Sequence, residues 1–303
     1  MRGVFVDANP SLADIFEGLM KAGDPPVHIN RNPDITSEQM PALLDGGEIV
    51  VIDHTALPTD VARRCNGLKH VVFLGTGARS YMNPEELAEL GISVHLIRGY
   101  GDTAVAESAV ALMWASARVL AQMDREMRAG NWLREDGMQL TGKTLGLIGF
   151  GGIAAEVARI AHGSGMRVIA WNRTPKTHPG VDFVDLNTLL VASHAVSLHL
   201  LLNDETRGFL SRQRIASMRP GVILVNTARG ALVDEQAMID ALESGHIRHA
   251  GLDVFNIEPL PADHPLTKLD NVTLSAHSAF RTPEASENLM RAAWEHCRRI
   301  VKK

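Results

Sequence analysis

Cysteine is nearly missing from this chain. Cys65 and Cys297 are the only two in 303 residues, and neither has a CxxC partner or histidine-rich company. A disulfide framework and a zinc site are therefore not expected, no metal is assigned, and reduced thiols in a cytoplasm are the default. Aromatic residues make up 5% of the sequence, and 30 Lys+Arg stand against 35 Asp+Glu, for a net charge of −5. Without a basic excess or basic runs interleaved with aromatics, there is no footprint for nucleic acid. No stretch approaches about 18 unbroken apolar residues, so no membrane span is read. The first residues lack the basic start, apolar segment and small-residue cleavage site of a secretion signal.

What is present is ordinary globular composition, 45% hydrophobic and 21% charged, over a length that suits about two domains. Short apolar runs alternate with helical patterns from the start. Val4–Val6, Glu48–Ile52, His70–Leu74 and Gly91–Leu96 read as strands, with helices at Leu12–Met20 and Leu57–Cys65. After the punctuation Gly99-Tyr100-Gly101-Asp102, an Ala-rich buried helix is expected over Thr103–Gln122. Six further strands follow: Leu145–Ile148, Arg167–Trp171, Ala195–His199, Val222–Asn226, His249–Asp253 and Val272–Ser275. Helical patterns lie at Ile153–His162, Asp185–Val191, Ser211–Ser217 and Asp234–Glu243, and a last helix at Glu284–Val301. The alternation predicts an α/β protein with parallel sheets covered by helices on both faces.

Between the first two of those six strands the chain reads Gly149-Phe150-Gly151-Gly152-Ile153-Ala154, a G-x-G-x-x-A turn opening a helix. Gly149 permits the tight turn, Gly151 lets a pyrophosphate approach the backbone, and Ala154 lets helix and strand pack closely. Helix-start N–H groups at Gly152 and Ile153 face the phosphate charge. The turn lies mid-chain, which implies another domain built before it. In open parallel sheets ligands bind beyond the carboxyl ends of the strands. Reading those ends brings Asn172-Arg173-Thr174, Thr227-Ala228-Arg229, Asp253, Glu258 and His277 to one edge. Taken singly, Arg229 could be a loop charge and Glu258 a solvated turn residue. His277 sits in the small-residue setting Ser275-Ala276-His277-Ser278-Ala279, with room to act. His199 is read as packing against Leu200-Leu201-Leu202.

Five ordered motifs give the chain a family resemblance: Leu74-Gly75-Thr76-Gly77-Ala78, Val105-Ala106-Glu107, Asn226–Asp234, Gly251–Pro259 and Ser275-Ala276-His277-Ser278. The chain resembles the D-isomer-specific 2-hydroxyacid dehydrogenases. The resemblance implies a Rossmann cofactor domain, residues 99–282, inserted in a flavodoxin-like substrate domain, residues 1–98 and 283–303. Two connections, Arg98–Asp102 and Phe280–Pro283, would permit closure. It implies that Arg229 binds the substrate carboxylate and polarises the carbonyl, as a bidentate donor can. His277 would exchange a proton with the substrate oxygen, and Glu258 would fix its tautomer. Gly75, Thr76 and Gly77 would contact the substrate with Arg229 and His277. Thr206, Thr227, Ala228 and Asp253 would join the glycine turn as cofactor contacts. A homodimer is implied too, with the Ala-rich helix in its interface.

Two positions depart from the family pattern. Leu201 stands where a proline is frequent, and Asn172-Arg173-Thr174 replaces the acid that binds the ribose 2′-hydroxyl of NAD. Donors and one fixed positive charge at that place favour NADP(H), with NAD(H) as the second cofactor. The leading expectation is thus an NADPH-preferring reductase of a small 2-keto acid, glyoxylate or hydroxypyruvate. One alternative is a D-3-phosphoglycerate dehydrogenase, for which Arg79 and Arg98 could meet a phosphate. A nucleotide-sensing, corepressor-like binding protein is the non-enzymatic alternative.

Overall fold

The computed structural model describes residues 1–302, and the chain divides into two compact units. Unit 1 comprises Met1–Gly101 and the chain from Arg281 onward; unit 2 is Asp102–Phe280. Unit 1 contains β1 (Gly3–Phe5), α1 (Pro10–Gly18), β2 (Val27–Ile29), α2 (Met40–Leu44), β3 (Ile49–Ile52), α3 (Thr59–Arg64), β4 (His70–Phe73), α4 (Pro84–Glu89) and β5 (Ser93–Leu96). Its five strands are all parallel in the order β2-β1-β3-β4-β5. Central β3, Ile-Val-Val-Ile, is buried on both faces, as an interior parallel strand must be. The sequence pattern does not reveal β2. It is a three-residue edge strand behind Pro25-Pro26, too short to show a period.

The C-terminal helix α11 (Pro283–Val301) returns to unit 1. Thr282 Oγ1 accepts the Ala285 N–H, and Pro283 takes the first helical position, where its missing N–H leaves nothing unsatisfied. Trp294 is fully buried, stacked on Phe16 at 4.5 Å, and its Nε1–H donates to the Phe16 carbonyl. Arg298 adds a two-nitrogen grip on Asp24 and holds that carboxyl down near 2.

At the carboxyl edge of this sheet, buried Asp7 follows β1 and accepts the N–H groups of Asp53, His54 and Thr55, which follow β3. The His54 ring lies between Asp53 and the Pro33 carbonyl, and the Asp53 hydrogen bond pushes its pKa up to about 9. A histidine raised in the folded state adds stability that is complete below its unfolded value of about 6.5. That stability is lost as pH climbs through about 9. Because the ring is half exposed, screening keeps the effect small, near 2 °C in Tm. Melting curves between pH 6 and 10 should therefore decline more steeply in the native protein than in His54→Ala. Equal slopes would rule this linkage out.

Unit 2 contains α5 (Asp102–Ala117), α6 (Leu120–Arg128), β6 (Thr144–Ile148), α7 (Gly152–Gly163), β7 (Arg167–Trp171), β8 (Val181–Phe183), α8 (Leu186–Ala192), β9 (Ala195–Leu198), α9 (Arg212–Ser217), β10 (Val222–Asn226), α10 (Glu235–Glu243), β11 (Ile247–Leu252) and β12 (Val272–Leu274). Seven parallel strands run β12-β11-β10-β9-β6-β7-β8. One apolar core packs α8–α10 on one face, and a second packs α5 and α7 on the other. The sequence pattern predicts six strands here; the seventh, β8, is another three-residue edge strand. Strand order reverses between β6 and β9, and that switch point is where an open α/β sheet binds a ligand.

The long helix expected over Thr103–Gln122 is broken. α5 ends at Ala117, Val119 adopts the left-handed φ of 55°, and α6 leaves at 66°. Met138 N–H donates to the Ala117 carbonyl at 2.6 Å, so a tertiary bond replaces the next turn of helix. Among the described residues no single helix is long and apolar enough to cross a membrane.

Candidate active site

The glycine turn follows β6. Gly149 has φ +86°, and an added Cβ would lie 2.6 Å from the His199 carbonyl oxygen, so both conformation and space demand glycine. Gly151 caps α7, and nothing lies within 4 Å of where its Cβ would point. The first turn of α7 carries no acidic residue, and no side chain caps it. An open, bare helix N-terminus of this kind fits the pyrophosphate of a dinucleotide. Beside it the Asp102 carboxyl fills the space where a Gly152 Cβ would stand, and burial raises its pKa. Ile153 is part-buried and packs on the α5/α7 core.

Beyond β7 the structure redistributes the expected contacts. Asn172 Oδ1 accepts the Phe150 N–H at 3.1 Å, and its Nδ2 donates to the Thr174 carbonyl at 2.7 Å. Its amide therefore braces the glycine turn and keeps one N–H of its NH₂ uncommitted among the described residues. Arg173 is exposed and ion-paired with Glu205. Lys176, absent from the residues expected at this edge, donates to the Phe150 carbonyl at 2.6 Å and brings a second positive charge to the turn. Its signal in the sequence is a second cation three residues after Arg173. Thr206 is also committed within its own loop, its hydroxyl donating to the Leu201 carbonyl at 2.6 Å.

Across the switch point, β9 and β10 end side by side, with Asn226 opposite Leu198. The next residues, His199 and Thr227, each bury a side-chain atom (Nε2 and Oγ1) that has no hydrogen-bond partner. Burial pushes the His199 pKa down to about 4, so this imidazole is neutral near neutrality. Buried Asn226 accepts the Ala228 N–H and donates to the Arg229 carbonyl, holding the loop as a fixed turn. The Ala228 amide is thereby used internally. Arg229 Nη1 bonds the Ala228 carbonyl at 2.6 Å, and no carboxylate among the described residues pairs with its guanidinium. An unpaired, part-buried guanidinium at a strand end is a ready carboxylate receptor.

Gly230 brings the neighbouring loop close. A Cβ there would lie 2.2 Å from the Phe255 carbonyl carbon and 2.6 Å from Asn256 N, so only glycine lets the segment after β11 lie against the Arg229 turn. From that segment, Glu258 Oε1 accepts the Phe255 N–H at 2.8 Å while Oε2 meets His277 Nδ1 at 2.6 Å. Nδ1 thus carries the hydrogen, and Nε2 has no protein partner among the described residues. His277 itself has φ 47°, an unusual conformation for a non-glycine residue and one that clusters at functional sites.

Asp253 holds that conformation. It is 1% exposed; Oδ1 accepts the Ser275 hydroxyl and the Ser278 N–H, and Oδ2 accepts the Ala279 N–H. Its carbonyl takes the His277 N–H at 2.8 Å. Asp253, expected as a cofactor contact, is also the anchor of the histidine loop, each carboxyl oxygen accepting at least one hydrogen bond from it. β10 and β12 flank β11, so Arg229 and His277 leave from strands about 10 Å apart. That spacing leaves room for a small molecule between them. In unit 1, the N–H groups of Thr76 and Gly77 make no hydrogen bond among the described residues, whereas that of Gly75 donates to the Phe73 carbonyl.

The model of the D-isomer specific 2-hydroxyacid dehydrogenase NAD binding domain matches residues 110–279. Hydroxypyruvate reductase of Thermotoga maritima is 40% identical over 247 residues, covering 80% of each chain. D-3-phosphoglycerate dehydrogenase of Archaeoglobus fulgidus is 36% identical over 80% of this chain but only 47% of its own length. Among solved structures, a glyoxylate reductase from Paecilomyes thermophila superposes with a TM-score of 0.88 at 28% identity, covering 100% of this chain and 96% of that one.

Proposed function

The chain belongs to the D-isomer specific 2-hydroxyacid dehydrogenases, and from that premise we propose that it reduces a small 2-keto acid, glyoxylate or hydroxypyruvate, with NADPH as preferred donor. It is an NAD(P)-dependent oxidoreductase acting on CH–OH donors, of the glyoxylate and hydroxypyruvate reductase type. The observation that carries the catalytic reading is the Glu258–His277 hydrogen bond, which leaves Nε2 open on the sheet edge that also presents the unpaired Arg229.

In this reading unit 2 is the cofactor domain and unit 1 the substrate domain. Gly149, Gly151 and the first N–H groups of α7 hold the dinucleotide, which when bound supplies hydride from the nicotinamide C4. Arg229 binds the substrate carboxylate through two parallel N–H bonds and draws electron density from the adjacent carbonyl. In unit 1 the free N–H groups of Thr76 and Gly77 are suited to a substrate carboxylate. His277, protonated on both nitrogens, delivers the Nε2 proton to the carbonyl oxygen as it becomes an alcohol. Glu258 keeps the Nδ1 hydrogen and compensates the imidazolium charge. The product is the 2-hydroxy acid, of D configuration where C2 is a stereocentre, as with hydroxypyruvate. A phosphorylated substrate is less well supported, because Arg79 is ion-paired with Glu85.

NADPH preference rests on Arg173 and Lys176, two cations beside the turn where the acid of an NAD site is missing. Arg173→Ala should lower the NADPH:NADH ratio of kcat/KM about tenfold, the loss of one charge-assisted contact. An unchanged ratio would remove the basis for the preference. The proposal includes a cytoplasmic homodimer, for which exposed Leu120, Met127 and Trp132 offer apolar surface in unit 2.

A further inference from the structure

We propose that Glu205 is a specificity-determining residue of the dinucleotide site, supplying from the β9 side the carboxyl that the β7 loop lacks. The inference rests on the reading above, that the dinucleotide lies over the glycine turn. Arg173 follows β7 and Glu205 follows β9, the two strands that flank β6. Their ion pair therefore spans the carboxyl end of β6, across the crevice at the switch point. Two strand spacings, about 10 Å, are bridged by two long side chains.

The loop that carries Glu205 is built to present it. Asn203 N–H donates to Thr206 Oγ1 at 2.8 Å, Thr206 N–H donates to Asn203 Oδ1 at 3.0 Å, and the Thr206 hydroxyl reaches the Leu201 carbonyl. Arg207 N–H closes the turn onto the Asn203 carbonyl at 2.9 Å. On the opposite side the Asn172 amide bonds the Phe150 N–H and the Thr174 carbonyl, and the exposed Thr174 side chain is a neutral donor beside it. The charged groups brought together at this edge by the glycine turn and the ion pair are Arg173, Lys176 and Glu205.

Those three discriminate by charge. A free ribose 2′-hydroxyl can donate to the Glu205 carboxylate while Arg173 stays paired, so NADH is accepted without breaking the ion pair. A 2′-phosphate is repelled by Glu205 and attracted by Arg173, so NADPH must exchange the carboxylate for its own phosphate on the guanidinium. Lys176, held by a carbonyl and not a carboxylate, keeps its charge for either ligand. Glu205 is thus a brake on NADPH preference. Arg173 and Glu205 are 73% and 72% exposed, so the brake is a few-fold effect, weakened by salt, and its removal leaves the fold intact.

The test is equilibrium titration of NADPH, NADH and adenosine 2′,5′-bisphosphate against the native protein, Glu205→Gln and Arg173→Ala at low ionic strength. Glu205→Gln should tighten NADPH and the bisphosphate about threefold to fivefold and weaken NADH about twofold. Unchanged NADPH affinity, or an equal shift for both dinucleotides, would overturn the role of Glu205. The two readings fail separately. If Arg173→Ala left the NADPH:NADH affinity ratio as it was, the 2′-phosphate reading of this edge would fall, whatever Glu205→Gln did.

Discussion

His277→Asn should lower kcat for keto-acid reduction by about 10²- to 10⁴-fold, the range for losing a positioned general acid. Asparagine is chosen because the backbone at this position is left-handed, and asparagine tolerates that conformation better than most residues. The Asp253 carbonyl keeps its bond to the residue's N–H, so the loop should hold its path. What disappears is the nitrogen that faces away from Glu258. Dinucleotide affinity should stay within about twofold, since the glycine turn and its braces at Asn172 and Lys176 are elsewhere.

Single-turnover measurement isolates chemistry from product release. A loss below about tenfold would assign the proton to another group.

Arg229, Glu258 and His277 are legible in the sequence because residues just beyond parallel strands must share one edge, and strand positions follow from apolar runs. The glycine turn is legible for the same reason, with local chemistry specific enough to name its neighbours. What the sequence conceals depends on which hydrogen bonds win in three dimensions. Asn172 and Thr206 have the right chemistry for a ligand and the right address, and each is also tied into the protein, Asn172 to the glycine turn and Thr206 within its own loop. Lys176 and Glu205 become meaningful only with the glycine turn and Arg173 at their tips. The short edge strands β2 and β8 and the break at Val119 escape for a related reason: three residues cannot display a period, and one tertiary bond from Met138 overrides a helical pattern.

Asp253→Asn should cause the second large effect, and it separates two roles. As an anchor, the carboxyl satisfies three donors at 1% exposure: the Ser275 hydroxyl and the N–H groups of Ser278 and Ala279. An amide keeps one oxygen and turns an NH₂ toward donors it cannot accept. Leaving one or two buried groups unsatisfied costs about 1–3 kcal/mol each. For a unit of this size each kcal/mol lost lowers Tm by about 2–4 °C. The loop bearing His277 should then relax, and a displacement near 1 Å at the reacting group lowers kcat about 10²-fold. Dinucleotide affinity should change by less than about threefold, because both carboxyl oxygens face the histidine loop. A residue that contacted the cofactor directly would give the opposite split, with affinity falling more than about tenfold and kcat at saturation largely kept. A residue important only for folding would lower Tm while each folded molecule kept its native kcat. Measured below the melting transition, only loss of kcat with near-native dinucleotide affinity supports Asp253 as the residue that positions His277.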